Sequence, residues 1–359
     1  MTDIQTVNRG GRQSNIELCR IFSMLLVVLV HANFGWQGWP ASVDVVYKPA
    51  LLVEALAAIG VNVFVLISGY FSVKPKLKSL TNLLFICLFY AIVRLAVGLG
   101  IGHIDWKEAL FISRSNWFIV SYLGLMFLAP VIDTYINKIS KQQFIFFIAI
   151  LLLFDIYWGW LPKQCMVEPG FKSGYSIISF VVIYVIGRYL KKYGEPSFIT
   201  KYSLAIYLIC SVIIAIMAYA QLYFLPNWNL WEVAYAYNNP FLMLSSISFF
   251  VFFKNLKMKE SKIVNLFAAS SLSVLLLHTS GATNFWMKSY FCGVYDSYKG
   301  ISLYGLWVVG LILIYLVCTL IDQARIFSYK CLSKRLYNTA WYIKIDKWLS
   351  STFSSFEFN

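Results

Sequence analysis

Charge is the scarcest commodity in this chain. Charged side chains make up 13% of the 359 residues, and Asp and Glu together number 16. A soluble domain carries about 25% charge and about 45–50% apolar residues, so a chain that is 60% hydrophobic falls outside that class. CxxC pairs, metal-ligand spacings and His-rich or acidic clusters are also missing, which argues against a metal site or a bound cofactor. Most of the seven cysteines sit in apolar runs as small apolar residues. Cys165 and Cys292 fall in expected outer loops, where pairing in an oxidising compartment stays open. No small-residue cleavage site follows the first apolar run, so that run is expected to be a retained helix rather than a signal peptide. Nor is there an inverted repeat of the kind found in secondary transporters.

What the chain has instead is long apolar runs. A hydrocarbon core of about 30 Å needs roughly 17–25 mostly apolar residues per helix. Ten runs qualify as candidates: 18–34, 50–71, 80–101, 117–136, 144–161, 175–189, 203–225, 240–253, 263–279 and 302–321. The sixth, eighth and ninth are short, which suits tilted or re-entrant segments. None alternates polar and apolar residues as barrel strands do. The expected fold is all-α, a polytopic membrane bundle of about ten helices spanning 17–325. A polar segment 1–16 precedes it and a tail 326–359 follows.

The net charge of +14 raises nucleic acid as a partner, but the distribution of the basic residues points elsewhere. With a cytoplasmic N-terminus, the expected outer segments hold only Lys48, Lys107, Arg114, Lys163, Lys172, Lys288 and Lys299 of the 30 Lys and Arg residues. Arg20 and Arg94 lie within helices, and the remainder fall in inner loops and in the tail, Arg325 among them. This is the positive-inside pattern. It places both termini in the cytoplasm and makes the charge a topology signal rather than a nucleic-acid surface.

Tryptophan shows the opposite bias. Trp36, Trp39, Trp106, Trp117, Trp158, Trp160, Trp228, Trp231 and Trp286 fall in outer loops or at outer helix ends, as interface anchors or as a stacking surface for a sugar. The tail carries Leu332, Leu336, Ala340, Trp341, Ile343, Trp348 and Leu349 among basic residues, a spacing that suits an interfacial amphipathic helix.

Ionisable side chains inside a membrane helix are functional candidates by default. The first run concentrates them. At 100° per residue, the step from Arg20 to His31 leaves about 20° of net rotation, and that from Glu17 to His31 about −40°. All three therefore share a face, with His31 about 16 Å from Arg20 along the axis. Alternatives remain at this point: Arg20 also suits snorkelling to the inner interface beside Glu17, and His31 suits a structural bond to a neighbouring helix. His103 reads as solvated, and Asp155 and Glu232 as polar residues at outer helix ends.

Glu17, Arg20 and, eleven residues on, His31 resemble the opening motif of the acyltransferase 3 family of membrane-bound, acyl-CoA-dependent acyltransferases. Three further segments are similar to that family. VNVFVLISGYF closes on Ser68, Gly69 and Tyr70; NWFIVSYLGLMFLAPVID carries Trp117, Phe118, Tyr122, Leu123 and Pro130; and SSLSVLLLHT ends near His278. Where the family has Tyr three positions before that His, this chain has Leu275.

The resemblance implies that cytoplasmic acyl-CoA, usually acetyl-CoA, is a co-substrate and that its acyl group passes to a hydroxyl of an outer glycan or lipid-linked sugar at the cell inner membrane. Lys74, Lys76 and Lys78 then become candidates for the CoA phosphates, although positive-inside signalling explains them equally well. Arg20 is expected to hold the donor with Glu17 orienting it, and Ser68-Gly69 to offer a close backbone approach for the pantetheine arm. His31 is expected to act as general base, since imidazole titrates near neutrality. Arg94 and His278 are candidates for the oxyanion or for orienting the acceptor. The rival functions are a transporter or flippase and a polymerase of lipid-linked glycan, neither of which needs acyl-CoA.

Overall fold

The computed structural model describes residues 12–102, 104–111, 116–161, 172–225 and 228–354. His103, Arg114, Lys163 and Cys165 lie outside them, so the readings of His103 and of a Cys165–Cys292 pair concern residues beyond that description.

The described residues form an all-helical bundle without strands. Helix α1 (Ser14–Val30) runs into a π-helical turn, His31–Gly35, and is followed by α2 (Lys48–Ala57) and α3 (Gly60–Phe71). Next come α4 (Leu77–Gly100), a short α5 (Trp106–Ala109), α6 (Trp117–Lys138) and α7 (Lys141–Tyr157). Helices α8 (Ile177–Tyr193), α9 (Ser197–Phe224), α10 (Pro240–Lys254), α11 (Lys262–Ala269) and α12 (Ser271–His278) follow. The chain closes with α13 (Phe285–Ser297), α14 (Gly300–Leu336) and α15 (Ala340–Ser354).

All ten apolar runs are helical, but they are not equal. Among the described residues, six helical segments are long and apolar enough to cross a membrane: 14–35, 48–71, 77–100, 117–138, 197–224 and 300–336. The others are shorter. Helices α7 and α8 have 17 residues each and α10 has 15, and the ninth run is broken at Ser270 into α11 and α12.

The burial pattern is that of a bundle solvated by lipid. On α4, Leu84, Leu88, Ile92 and Leu99 point outward, whereas Leu83, Ile86, Tyr90 and Arg94 point inward. On α9, Leu208, Val212, Ile216 and Tyr223 are exposed while Ser203, Tyr207, Ser211 and Gln221 are buried. Polar groups turn inward because hydrocarbon offers them no hydrogen bonds, and protein neighbours do.

Helix α1 is the hub, packing against α2, α3, α10, α11, α12 and α14. Small residues allow the closest approaches. A Cβ on Gly60 would lie 2.7 Å from the Ser23 carbonyl oxygen of α1, and one on Gly69 would strike the Tyr184 carbonyl oxygen of α8. The α1 start is tied down as well. Asn15 donates to the Phe253 and Lys254 carbonyls at the end of α10, and Ser14 donates to the Asn265 side chain of α11.

Several expectations need correction. Asp155 is fully buried rather than a surface residue, accepting from Ser179 Oγ at 2.7 Å. Arg325 does not belong to a solvated tail. It lies buried in α14, bonded through Nε and Nη2 to the Asp322 carboxylate three residues earlier. Helix α14 continues to Leu336, so the separate terminal helix starts only at Ala340. The segment expected as the last outer loop contains a full helix, α13, which carries Trp286 and Lys288. Most of the tryptophans are packed into aromatic clusters rather than laid out as an open platform. Trp117 lies 4.8 Å from Tyr175 and 5.9 Å from Tyr237, and Trp39 packs on Phe34 and Tyr235. Trp106 and Trp286 are well exposed.

Candidate functional site

The last turn of α1 brings His31 to the C-terminal end of α12, where it meets His278. The two rings stand edge to face with centroids 4.8 Å apart. Each ring is anchored in the same way. His31 Nδ1 lies 2.8 Å from the Val27 carbonyl oxygen and His278 Nδ1 2.7 Å from that of Val274, each one turn back on its own helix. A carbonyl oxygen only accepts, so both Nδ1 atoms carry the hydrogen. In the neutral rings this leaves both Nε2 atoms as free bases. His278 Nε2 is buried and has no hydrogen-bond partner among the described residues. His31 is half-buried and His278 fully buried, so His31 is the more accessible of the two.

His31 also opens the π-helical turn, in which the Trp36 amide reaches back five residues to the His31 carbonyl at 2.6 Å. Such turns re-aim side chains locally and recur at functional sites. Here the turn sets Asn33 against α2, where its amide donates to Glu54 Oε2 and the Ala50 carbonyl, each at 2.9 Å.

The segment carrying His278 is clamped on both sides. Arg94 of α4 donates from Nη2 (2.6 Å) and Nε (3.2 Å) to the Leu276 carbonyl, two residues before His278. Its Nη1 donates to the Glu108 carbonyl and to Asn116 Oδ1, and its face lies over the Phe111 ring. Three residues past His278, the Gly281 amide donates to both Glu108 carboxylate oxygens at 3.0 Å. Arg94 was expected to serve the oxyanion or to orient the acceptor. Its guanidinium is engaged by protein oxygens, and it acts on the site by holding the His278 turn.

On the other side of the pair a cavity of about 200 Å³ lies between α1, α3, α4, α6 and the α11–α12 break. Arg20, Ser68 and Tyr122 face it among apolar neighbours, and its walls include Val27 and Leu275. Val27 holds the His31 ring and Leu275 lies one turn before His278, so the cavity reaches the base of the pair. Glu17 and Arg20 are 3.9 Å apart, beyond hydrogen-bond reach, and neither Glu17 Oε2 nor Arg20 Nε has a hydrogen-bond partner among the described residues. Ser68 Oγ donates to the Phe64 carbonyl at 3.0 Å, which leaves Tyr122 OH to donate to Ser68 across 3.2 Å.

The other expected donor residues are elsewhere. Gly69 faces α8, where the Tyr184 backbone occupies the space a pantetheine arm would need, so its small size serves helix packing. Tyr70 packs on Phe250 with Lys191 over its ring at 4.7 Å. Lys74, Lys76 and Lys78 are exposed around the start of α4, with Lys78 over the Tyr337 ring at 5.2 Å. Trp117 belongs to the aromatic cluster at the α6 start, and Phe118 stacks on Tyr122.

Sequence reasoning missed four carboxylates with built partners, three of them buried and Asp133 half-buried. Glu54 pairs with Asn33, and Asp133 accepts from Arg188, Tyr184 and Ser72. Asp322 accepts from Arg325, Tyr90, Ser270 and Ser273, and Glu108 holds Gly281. A lone carboxylate inside an apolar run was the available signal for Glu54 and Asp133.

Residues 13–323 match the family model for an acyltransferase domain of the acyltransferase 3 type. No curated protein and no solved structure matches the chain.

Proposed function

The chain belongs to the acyltransferase 3 family and is a multi-pass membrane acyltransferase, and from that premise we propose that it moves an acetyl group from cytoplasmic acetyl-CoA to a hydroxyl of an outer glycan or lipid-linked sugar. The observation that carries this reading is the Arg20-lined cavity, whose walls include Val27 and Leu275, each about one turn before a histidine whose Nε2 is left as a free base.

In this reading the ten helical runs all serve as spans or re-entrant spans of an inner membrane, with both termini in the cytoplasm. The α1 start and Lys74, Lys76 and Lys78 then face the donor's compartment. CoA phosphates meet those lysines, and the thioester end enters the cavity past Arg20, whose Nε is ion-paired with Glu17 at 3.9 Å. The polar Ser68–Tyr122 pair lies along that path. The cavity's far end delivers the thioester carbonyl to the histidines.

His31 Nε2 takes the proton of the acceptor hydroxyl as its oxygen bonds to the thioester carbonyl carbon. The C–S bond then breaks, and the imidazolium returns the proton to the departing CoA thiolate. The products are an O-acetyl ester and CoA. His278, with its own Nε2 bare, orients the acceptor or the proton beside His31.

The direct test is to supply membranes holding the protein with acetyl-CoA labelled in the acetyl group. Label entering surface glycan or its lipid-linked precursor, and absent from membranes of a deletion strain, is expected. Equal labelling in both would overturn the reading.

A further inference from the structure

A second cavity, of about 410 Å³, lies on the opposite flank of the histidine pair, between α4, α12, α13 and α14. Its chemistry differs from that of the Arg20 cavity throughout. Val93, Leu277, Met287, Phe291, Leu313 and Val317 are among its mostly apolar lining. The two hydroxyls on its wall are already bonded, Thr283 to the Leu277 carbonyl and Tyr290 to that of Leu306. Both hydroxyl hydrogens are thus used within the protein, and a wall this apolar favours hydrocarbon over water or a sugar.

The cavity is open to the side. Leu313 is 52% exposed and Val317 50%, and both lie one turn apart on the lipid-facing flank of α14. Neither histidine lines it, but its wall comes within one residue of the pair. Leu277 immediately precedes His278, and Phe291 packs 5.6 Å from Trp36, which lies 6.4 Å from His31. Bulk lipid could wet any apolar groove on this bundle. This one is walled by Leu277, the residue before His278, and by Val93, the residue before Arg94, which clamps the His278 turn.

We propose that this cavity seats the hydrocarbon chain of the acceptor's own lipid anchor, so that the acceptor is a lipid-linked sugar rather than a finished polysaccharide. The inference rests on the acyl-transfer reading and names its acceptor class. A chain entering between Leu313 and Val317 runs to Leu277, and the head group it carries emerges beside His278 and His31. Apolar contact supplies the binding, and the wall residue Leu277, next to His278, supplies the register.

The probe is a diazirine-bearing isoprenoid phosphate, with a diazirine-bearing phosphatidylethanolamine as its control, in nanodiscs holding the full chain. The isoprenoid probe is expected to label α13 and α14 residues of the cavity, and unlabelled isoprenoid phosphate is expected to displace it. Val317→Trp fills the groove from its lipid-facing side. It should abolish that labelling and lower transfer to membrane acceptor about tenfold, equivalent to about 1.4 kcal/mol of binding. Equal labelling by the phosphatidylethanolamine probe, undisplaced by isoprenoid phosphate, would assign the cavity to bulk lipid and overturn the proposal. So would wild-type transfer by Val317→Trp and by the second filling variant, Leu313→Trp. Failure of the acyl-transfer reading itself looks different, because the wild-type protein would then transfer no acetyl label while the photolabelling result stood on its own.

Discussion

The two cavities beside the histidine pair differ in what they can hold, and that difference divides the molecule's work. The one next to α6 carries a guanidinium, a serine and a phenol in an apolar frame. The one next to α14 has only bonded hydroxyls and is walled by hydrocarbon and rings. A polar thioester donor suits the first, and a lipid tail suits the second. His31 and His278 lie within a turn of residues that wall one cavity or the other, each ring fixed by a carbonyl of its own helix. If donor and acceptor are separated in this way, as proposed, the chemistry needs only a small shared space.

The largest expected effect removes what the two sides share. His31→Ala should lower kcat/KM by about a thousandfold, the scale of a lost general base. Its level in the membrane should match that of the wild type, measured by quantitative blotting of the membrane fraction. Activity within a factor of two of wild type would move the base to His278.

The next test breaks the frame without touching a substrate. Arg94→Ala leaves the Leu276 and Glu108 carbonyls and the Asn116 side-chain oxygen without their cationic donor, each loss costing about 1–3 kcal/mol. The His278 turn should loosen, with kcat falling about thirtyfold and the KM for acetyl-CoA unchanged. Arg94→Lys should restore part of kcat, because a lysine can reach one carbonyl but cannot fork between partners. A rise in KM with kcat intact would instead make Arg94 part of the donor site.

This contrast also explains which parts of the site were legible from sequence. The shared face of Glu17, Arg20 and His31 follows from helical periodicity alone, and His31 does sit one turn beyond the cavity that Arg20 lines. Arg94 stood out as a charge in an apolar run, but its role did not. Its partners are mainly backbone carbonyls, which every residue has and no sequence pattern marks. The π turn at His31 is equally silent, since it depends on one backbone bond reaching Trp36. Helix α13 was missed because FWMKSYFCGVYDS mixes charge and aromatics and reads as a loop by hydropathy. Arg325 was misplaced for a related reason. Counting charges assigns each to the nearest loop, whereas a pair such as Asp322–Arg325 satisfies itself inside the bundle.

Arg20→Ala addresses the polar cavity alone. It should raise the KM for acetyl-CoA about tenfold, the loss of one charge-assisted contact, with little change in kcat or in labelling by the isoprenoid probe. If that photolabelling fell along with donor affinity, the two cavities would not be independent and the division drawn between them would fail.

The smallest expected effect comes from two neighbouring residues with opposite orientations. Ser68 faces the polar cavity and Gly69 faces α8. Ser68→Ala removes the hydroxyl that Tyr122 donates to and should raise the KM for acetyl-CoA about threefold, the scale of one neutral hydrogen bond. Stability should hardly change, because the Ser68 hydroxyl bonds back to its own helix at Phe64. Gly69→Ala should do the reverse. Its new methyl meets the Tyr184 carbonyl, forcing α3 and α8 apart at a cost of about 1–3 kcal/mol, while molecules that remain folded keep the wild-type KM. Thermal denaturation in detergent, read beside donor titration, separates the two outcomes. A KM change in Gly69→Ala equal to that in Ser68→Ala would return Gly69 to the donor path and place the cavity on the other face of α3.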